Sequence, residues 1–315
     1  MAPSARCSTR WPSRTSPNGW RRSAADAAPY ELTFQLAQRL DEAGVATPGV
    51  DARLLVAHAL GCDLTDMMMR SVMTDAELRR AEELVERRAQ GVPVQHLTGV
   101  AYFRYEDLAV GPGVFVPRPE TEELVSWALA TLALRPTGRR RVVELCAGSG
   151  AISRSISREL GGVEVHAVEL SEDAMPYLTR NLAGCGVEVV HGDMADAFPE
   201  LNGTVDLVIA NPPYVPLGER DALPREVRDH DPDLALFSGP DGLDAVRVVC
   251  EVANRLLAPS GWVGIEHAES QSELVTQLLR DHGYSEVQDR PDLTGRPRFV
   301  TGQRPHPETP DAWQD

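Results

Sequence analysis

The chain contains no lysine. All 31 of its basic residues are arginine, set against 47 acids, and the formal net charge is -16. A protein whose main affinity is for a phosphate backbone needs surplus cations to neutralise it. Nucleic acid is therefore not expected as the principal partner, although a local basic groove stays open. Long apolar runs are absent too. None approaches the roughly 20 residues of a membrane-spanning helix, so no membrane association is expected. The five cysteines (Cys7, Cys62, Cys146, Cys185, Cys250) form no C-x-x-C pair, and the eight histidines make no H-x-x-x-H pair or Cys/His cluster. A reducing, cytoplasmic setting fits this cysteine usage, and no metal is expected. What is present suits a globular chain: hydrophobic residues are 42% of 315, enough for one large domain or two modest ones.

Residues 1–28 are rich in Ser, Pro and Arg and lack the apolar core of a secretory signal. They read as a disordered extension, with a targeting or nucleic-acid arm as the alternative. From Tyr30 the pattern turns helical. Leu32, Leu36 and Leu40 recur one turn apart, and "TDAELRRAEELVERRAQG" opens on a Thr74-x-x-Glu77 capping box and closes on Gly91. Residues 29–92 are thus expected as a small helical domain. "AYFRYEDLAVGPGVFVPRPE" alternates, breaks at Gly111-Pro112-Gly113 and resumes, which reads as a β-hairpin linker over 93–118. In "FVPRPETEEL", Pro119 suits the first helical position and Glu120, Glu122 and Glu123 the first turn.

From about Arg140 strands and helices alternate, which predicts an α/β domain over 119–304 with a mostly parallel sheet covered on both faces. Its ligand should lie outside the carboxyl ends of the strands. An irregular stretch spans 217–240. Its acid-rich "REVRDHDPD" is expected as a lid, because long loops in compact domains are mostly functional, with a solvated loop as the alternative. Residues 305–315 read as a disordered tail.

The first strand of the sheet runs into Glu144-Leu145-Cys146-Ala147-Gly148-Ser149-Gly150. A glycine turn there lets the backbone approach a ligand and aims helix N–H groups at it. Nineteen residues past Gly150, Glu169 ends the second strand and is followed by Leu170. Its carboxylate can accept both hydroxyls of a ribose. Asp193, after the third strand, is placed to reach an adenine amine, with Met194 beside the ring. Each signal alone could be a tight turn or a solvated strand end. Three of them, closing three successive strands, point to a nucleoside. The turn is not G-x-G-x-x-G, so a ligand with ribose and adenine but no pyrophosphate, such as S-adenosylmethionine, fits better than a dinucleotide.

The fourth strand stops on Asn211-Pro212-Pro213-Tyr214. A planar NH2 group is a poor nucleophile and must be held with its nitrogen facing the methyl carbon. The Asn211 side-chain oxygen can accept one N–H and the Pro212 carbonyl the other, since a proline offers an acceptor without a competing donor. The two prolines fix that carbonyl's direction, and Tyr214 can stack on the flat amide or a base. This is catalysis by positioning. A strand-ending turn with Tyr214 as a packing residue is the plain alternative.

These segments carry a resemblance. "VVELCAGSGA", "HAVELS" and "IANPPYVP" are similar to the S-adenosylmethionine-dependent methyltransferases. With "QHLTGVAYFRYEDLAVGPGVFVPRPETEELV", "DHDPDLALFSGPDGL" and "IEHAESQ", residues 30–303 resemble the HemK-type peptide chain release factor glutamine methyltransferases. The resemblance implies a Rossmann-like methyltransferase sheet domain with a small helical N-terminal domain joined by a β-hairpin. It implies methyl transfer to the side-chain amide of the glutamine in the Gly-Gly-Gln loop of class I release factors. Glu144, Cys146, Ala147, Gly148, Ser149, Gly150, Glu169, Leu170, Asp193, Met194 and Asn211 would hold the cofactor. Asn211 to Tyr214 would hold the glutamine, with Phe115, Arg118 and Glu120 at the substrate mouth. Domain 29–92 would recognise the release-factor body, a structural cap being the alternative, and the enzyme would act as a monomer. Two positions depart from the family, which usually has Asp at 144 and Gly at 146. Cys146 is not expected as a nucleophile, because the transfer is direct and buried cysteines are inert. A nucleic-acid amino methyltransferase and a non-catalytic cofactor-binding module that docks on release factors remain the rival readings.

Overall fold

The computed structural model describes residues 28–135 and 140–306, so the expectations for the extension at 1–27 and the tail from 307 lie outside the described residues. The chain divides into two compact units, Met1–Glu86 and Arg87–Asp315. Among the described residues no helix is long and apolar enough to cross a membrane.

The first unit is built from α1 (Pro29–Glu42), α2 (Pro48–Leu60), α3 (Leu64–Met69) and most of α4 (Asp75–Ala89). α1 and α2 open on proline, where a helix has no use for the missing N–H. Leu32, Leu36 and Leu40 are buried, as are Leu55, Val56, Met67 and Val85. α2 stops at Gly61, whose φ of 65° lets the Cys62 N–H reach the Ala57 carbonyl at 3.2 Å. The capping box of α4 forms: Thr74 Oγ1 accepts from the Glu77 N–H at 3.2 Å, and the Glu77 carboxylate accepts from the Thr74 N–H at 2.7 Å. The division between the units falls inside α4.

The second unit begins with α5 (Val94–Thr98) and the hairpin β1 (Val100–Phe103) and β2 (Glu106–Ala109). The hairpin turns at Arg104-Tyr105, not at Gly111-Pro112-Gly113 as the alternation suggests. Arg104 takes a φ of 52°, unusual for a side-chain-bearing residue. Tertiary contacts hold it there: its N–H donates to Glu122 Oε1 at 2.9 Å, and its guanidinium donates to Glu159 and to Ser126 Oγ at 2.7 Å. Gly111 and Gly113 instead lie tight against Tyr177 and Asp173; a Cβ on Gly113 would meet the Asp173 Cβ at 2.7 Å.

Then follow α6 (Thr121–Ala133), β3 (Arg140–Leu145), α7 (Ala151–Glu159), β4 (Val163–Glu169), α8 (Met175–Leu182), β5 (Glu188–His191) and β6 (Val205–Ala210). After them come α9 (Arg225–His230), α10 (Asp233–Leu236), α11 (Asp244–Leu256), β7 (Leu257–Glu266), α12 (Ser272–Asp281), β8 (Ser285–Pro291) and β9 (Pro297–Gln303). The seven strands are ordered β5-β4-β3-β6-β7-β9-β8. The first five run parallel, while β9 is antiparallel to both its neighbours. This is the α/β sheet that the alternation predicts, with a helical unit before it.

Alternation along the strands sorts the two cores. Val143, Leu145, Val208 and Ala210 face Val246, Val249, Cys250 and Leu279 of α11 and α12. Val142, Leu207 and Ile209 face Leu124, Ala128, Ile152 and Ile156 of α6 and α7. Both faces are covered, so the strands are apolar almost throughout.

Candidate active site

The chain leaves β3 for β4 and β5 on one side and returns to β6 and β7 on the other, so the strand order reverses at β3. Ligands of such sheets bind at this point, beyond the carboxyl ends of the strands. Register makes the site. Leu145 pairs with Val168 on one side and with Ala210 on the other, and Ala210 pairs with Ile265. The next residues, Cys146, Glu169, Asn211 and Glu266, therefore stand at one level on four neighbouring strands.

A cavity of about 550 Å³ opens here. Glu144, Cys146, Ala147, Gly148, Ser149, Glu169, Leu170, Asp193, Met194, Asn211, Pro212, Pro213, Tyr214, Phe115 and Arg118 all line it. Two residues expected at the site are not on its wall. Gly150, with a φ of 80°, caps α7, and a Cβ there would meet Leu178 Cδ1 at 2.8 Å. Packing against Leu178 and Leu182 of α8 leaves no room for a Cβ there. Glu120 is the residue before α6, which starts at Thr121 rather than at Pro119. Residues 118–122 first form tight turns, Thr121 N–H to the Arg118 carbonyl and Glu122 N–H to the Pro119 carbonyl, both at 3.1 Å.

Glu169 is buried and already engaged. Its Oε2 accepts from the Gly148 N–H and its Oε1 from the Ser171 N–H, each at 2.7 Å. Each oxygen keeps a lone pair for a ribose hydroxyl. Gly148 has a φ of 54° with open space where a Cβ would stand, so the turn leaves room for a ligand against bare backbone. Met194 lies against Cys146, sulfur to sulfur at 3.6 Å. One oxygen of Asp193 accepts from the Ala195 N–H at 2.9 Å, leaving the other for a ligand. This donor set fits S-adenosylmethionine: paired acceptors for the ribose, an acid for the adenine amine, a soft apolar wall for the ring.

The two departures from the family are both accommodated. Glu144 turns to α7, where its Oε2 accepts from the Ser153 N–H at 2.8 Å and from the Ser153 hydroxyl. Burial pushes its pKa up to about 8, opposed by those two bonds. Cys146 takes the left-handed conformation, φ 59°, and burial, followed by the nearby Glu169, pushes its thiol pKa well up.

The Asn211–Tyr214 segment is clamped from behind. The Tyr214 carbonyl accepts from Gln271 Nε2 at 2.8 Å. Gly242, φ 77°, lies so close that a Cβ there would fall on this carbonyl oxygen. Asn211 Nδ2 donates to Thr121 Oγ1 at 3.3 Å. Burial raises the Tyr214 hydroxyl pKa, with the nearby Glu266 adding to it. Thr121, Gln271, Gly242 and Glu266 were not singled out from the sequence as site residues. Only the likeness of "VPRPETEELV", "GPDGL" and "IEHAESQ" to a family pointed toward them.

The stretch 217–240 is not irregular. It forms a 3₁₀ turn at Leu217–Ala222, then α9 and α10, each directly preceded by a proline, Pro224 and Pro232. It supplies Leu223, Val227, Leu234 and Phe237 to the cavity wall. Arg118 anchors it, donating to Asp231 Oδ2 at 2.6 Å, while its guanidinium lies 4.9 Å from the Phe115 ring centre. Burial raises the Asp231 pKa to about 6, opposed by Arg118.

Comparison with known proteins agrees with this geometry. Residues 31–99 match a family model described as the PrmC N-terminal domain, and 142–230 match one described as a methyltransferase domain. The release factor glutamine methyltransferase of Streptomyces coelicolor is 46% identical over 275 residues, covering 87% of this chain and 97% of that protein. The one from Mycolicibacterium smegmatis is 45% identical over 268 residues, covering 84% and 94%. A 4-amino-L-phenylalanine/4-methylamino-L-phenylalanine methyltransferase of Streptomyces pristinaespiralis is 40% identical over 290 residues, covering 88% and 98%. The chain belongs to the release factor glutamine methyltransferase family.

Proposed function

We propose that this protein transfers a methyl group from S-adenosylmethionine to the side-chain amide nitrogen of the glutamine in the Gly-Gly-Gln loop of class I peptide chain release factors. The observation that carries this reading is the register Leu145↔Ala210, which sets the glycine turn and Asn211–Tyr214 side by side on one cavity. Cys146 to Ser149, Glu169, Leu170, Asp193 and Met194 would hold the cofactor, which supplies an electrophilic methyl group when bound. The Asn211 oxygen and the Pro212 carbonyl accept the two N–H groups of the target amide and turn its nitrogen toward that methyl. As the nitrogen gains positive charge in the transition state, both acceptors bind it more tightly. The methylated nitrogen, with S-adenosylhomocysteine as the leaving group, gives up one proton to solvent, and Tyr214, Leu234 and Phe237 keep the site largely apolar.

A glutamine side chain offers few atoms for binding energy, so selectivity among glutamines must come from elsewhere. We assign that task to the helical domain, residues 29–92, acting on the body of the release factor. An aryl amine would also satisfy the two acceptors, and the relative that acts on 4-aminophenylalanine makes it the comparison substrate. The test is mass spectrometry of a class I release factor incubated with the protein and S-adenosylmethionine, with 4-aminophenylalanine and DNA in parallel reactions. One methyl group on the Gly-Gly-Gln glutamine is expected. An unmodified release factor alongside a methylated amine or nucleic acid would overturn the proposal.

A further inference from the structure

Glu266 ends β7, one strand over from Asn211, and is 1% exposed. The transfer described above gives it no role. The hydroxyls of Thr121 and Tyr214 lie near its carboxyl and favour its charged form. Its Oε2 has no partner. Thr121, itself buried, accepts the Asn211 Nδ2 hydrogen at 3.3 Å.

A hydroxyl carries one hydrogen. When a carboxylate takes the Thr121 hydrogen, the Thr121 oxygen is left to accept, and only the NH2 end of the Asn211 amide can satisfy it. The Asn211 carbonyl oxygen is then the end that meets the target amide. A neutral carboxyl has a hydrogen of its own and can donate to Thr121. The Thr121 hydrogen would then seek the Asn211 oxygen and turn the NH2 group toward the substrate's NH2, donor against donor.

We propose that Glu266, as a carboxylate, is the positioning residue of the Asn211–Tyr214 motif: through Thr121 it sets which end of the Asn211 amide faces the substrate, and through the Tyr214 hydroxyl it holds the ring. This rests on reading Asn211 as the acceptor for the target amide.

The groups that act on Glu266 come from each neighbouring element. Arg298 of β9 favours its charged form, as do the two hydroxyls, while Glu120 before α6 opposes it. His267, the next residue, is turned to Asp289 at 3.1 Å. Burial is the largest influence, and the pKa is raised to about 7. The competent amide orientation is therefore present above pH 7 and is lost as the pH falls through it.

The test uses the full chain with Glu266→Gln, Thr121→Val, Thr121→Ser and Asn211→Ala. Activity on a release factor is followed from about pH 6 to pH 9, with S-adenosylmethionine affinity by calorimetry and thermal stability. Glu266→Gln, whose amide oxygen can still accept from both hydroxyls but which has no proton to gain or lose, should keep kcat at the upper end of this range within a few-fold of wild type and abolish the acid limb, with cofactor affinity within about twofold of wild type. Thr121→Val, which severs the relay while keeping Glu266, should lower kcat at least about tenfold, and Thr121→Ser should restore it. Should Glu266→Gln fail to fold, the Thr121 pair decides. A folded Glu266→Gln protein that keeps the acid limb and a folded Thr121→Val protein with wild-type kcat would overturn the proposal while an inactive Asn211→Ala upholds the reading of the motif. An active Asn211→Ala would overturn both.

Discussion

Replacing Glu169 with glutamine changes one atom and separates two tasks. Both carboxylate oxygens accept from backbone N–H groups at 2.7 Å, Gly148 on one side and Ser171 on the other. Glutamine has one oxygen and one NH2, so whichever way it turns, a donor faces a donor. The orphaned backbone N–H costs about 1–3 kcal/mol, and loss of charge on the surviving bond adds on the order of 1 kcal/mol. For a unit of this size each kcal/mol lowers Tm by about 2–4 °C, so a fall of roughly 5–15 °C is expected by scanning fluorimetry. The ribose loses an acceptor as well, which should weaken S-adenosylmethionine by about 1.5–3 kcal/mol, or roughly 10- to 150-fold by calorimetry. A variant with wild-type Tm and wild-type affinity would refute both roles. A lowered Tm with unchanged affinity would leave Glu169 as a brace for the turn and remove it from the ribose site.

Asn211→Ala should lower kcat by about 10²- to 10³-fold, as loss of one transition-state acceptor does, while calorimetry shows cofactor binding largely intact. Gly242→Ala forces a Cβ onto the Tyr214 carbonyl at a φ of 77°; it should lower both Tm and kcat, and wild-type kinetics would show the clamp to be dispensable. Glu144 ionises near 4.5 when unfolded and near 8 in the folded protein, so its contribution to stability is full below the lower value and drains away as pH rises to the upper one. Glu144→Gln, with no proton to lose, should flatten that fall in Tm between about pH 5 and pH 8. Removing residues 1–92 should leave cofactor binding in place but lower kcat/KM for intact release factor about tenfold or more; unchanged kcat/KM in a folded remainder would relieve the helical domain of substrate recognition.

Features closed within a few residues were legible from the sequence. The Thr74–Glu77 box, the leucines of α1, the glycine turn after β3 and the strand ending at Asn211 each depend on bonds or spacings shorter than one element. So does the alternation that gives an α/β sheet. The hairpin turn was not legible. Arg104 adopts its left-handed φ because Glu122, Ser126 and Glu159 hold it, and those partners are 18, 22 and 55 residues away. That Leu178 and Leu182 leave no room for a Cβ at Gly150 is visible only in the folded chain. Glu169 was read as a ribose acceptor, and only the folded chain shows that it also holds Gly148 and Ser171.

The largest decision made only in three dimensions is the register Val168–Leu145–Ala210–Ile265. Every strand has the same two-residue period, so the pattern along one strand says which side chains face each core but not which residue of another strand it meets. That choice is made when α6 and α7 close one face and α11 and α12 the other. It is what brings Cys146, Glu169, Asn211 and Glu266 level, and with them the chemistry.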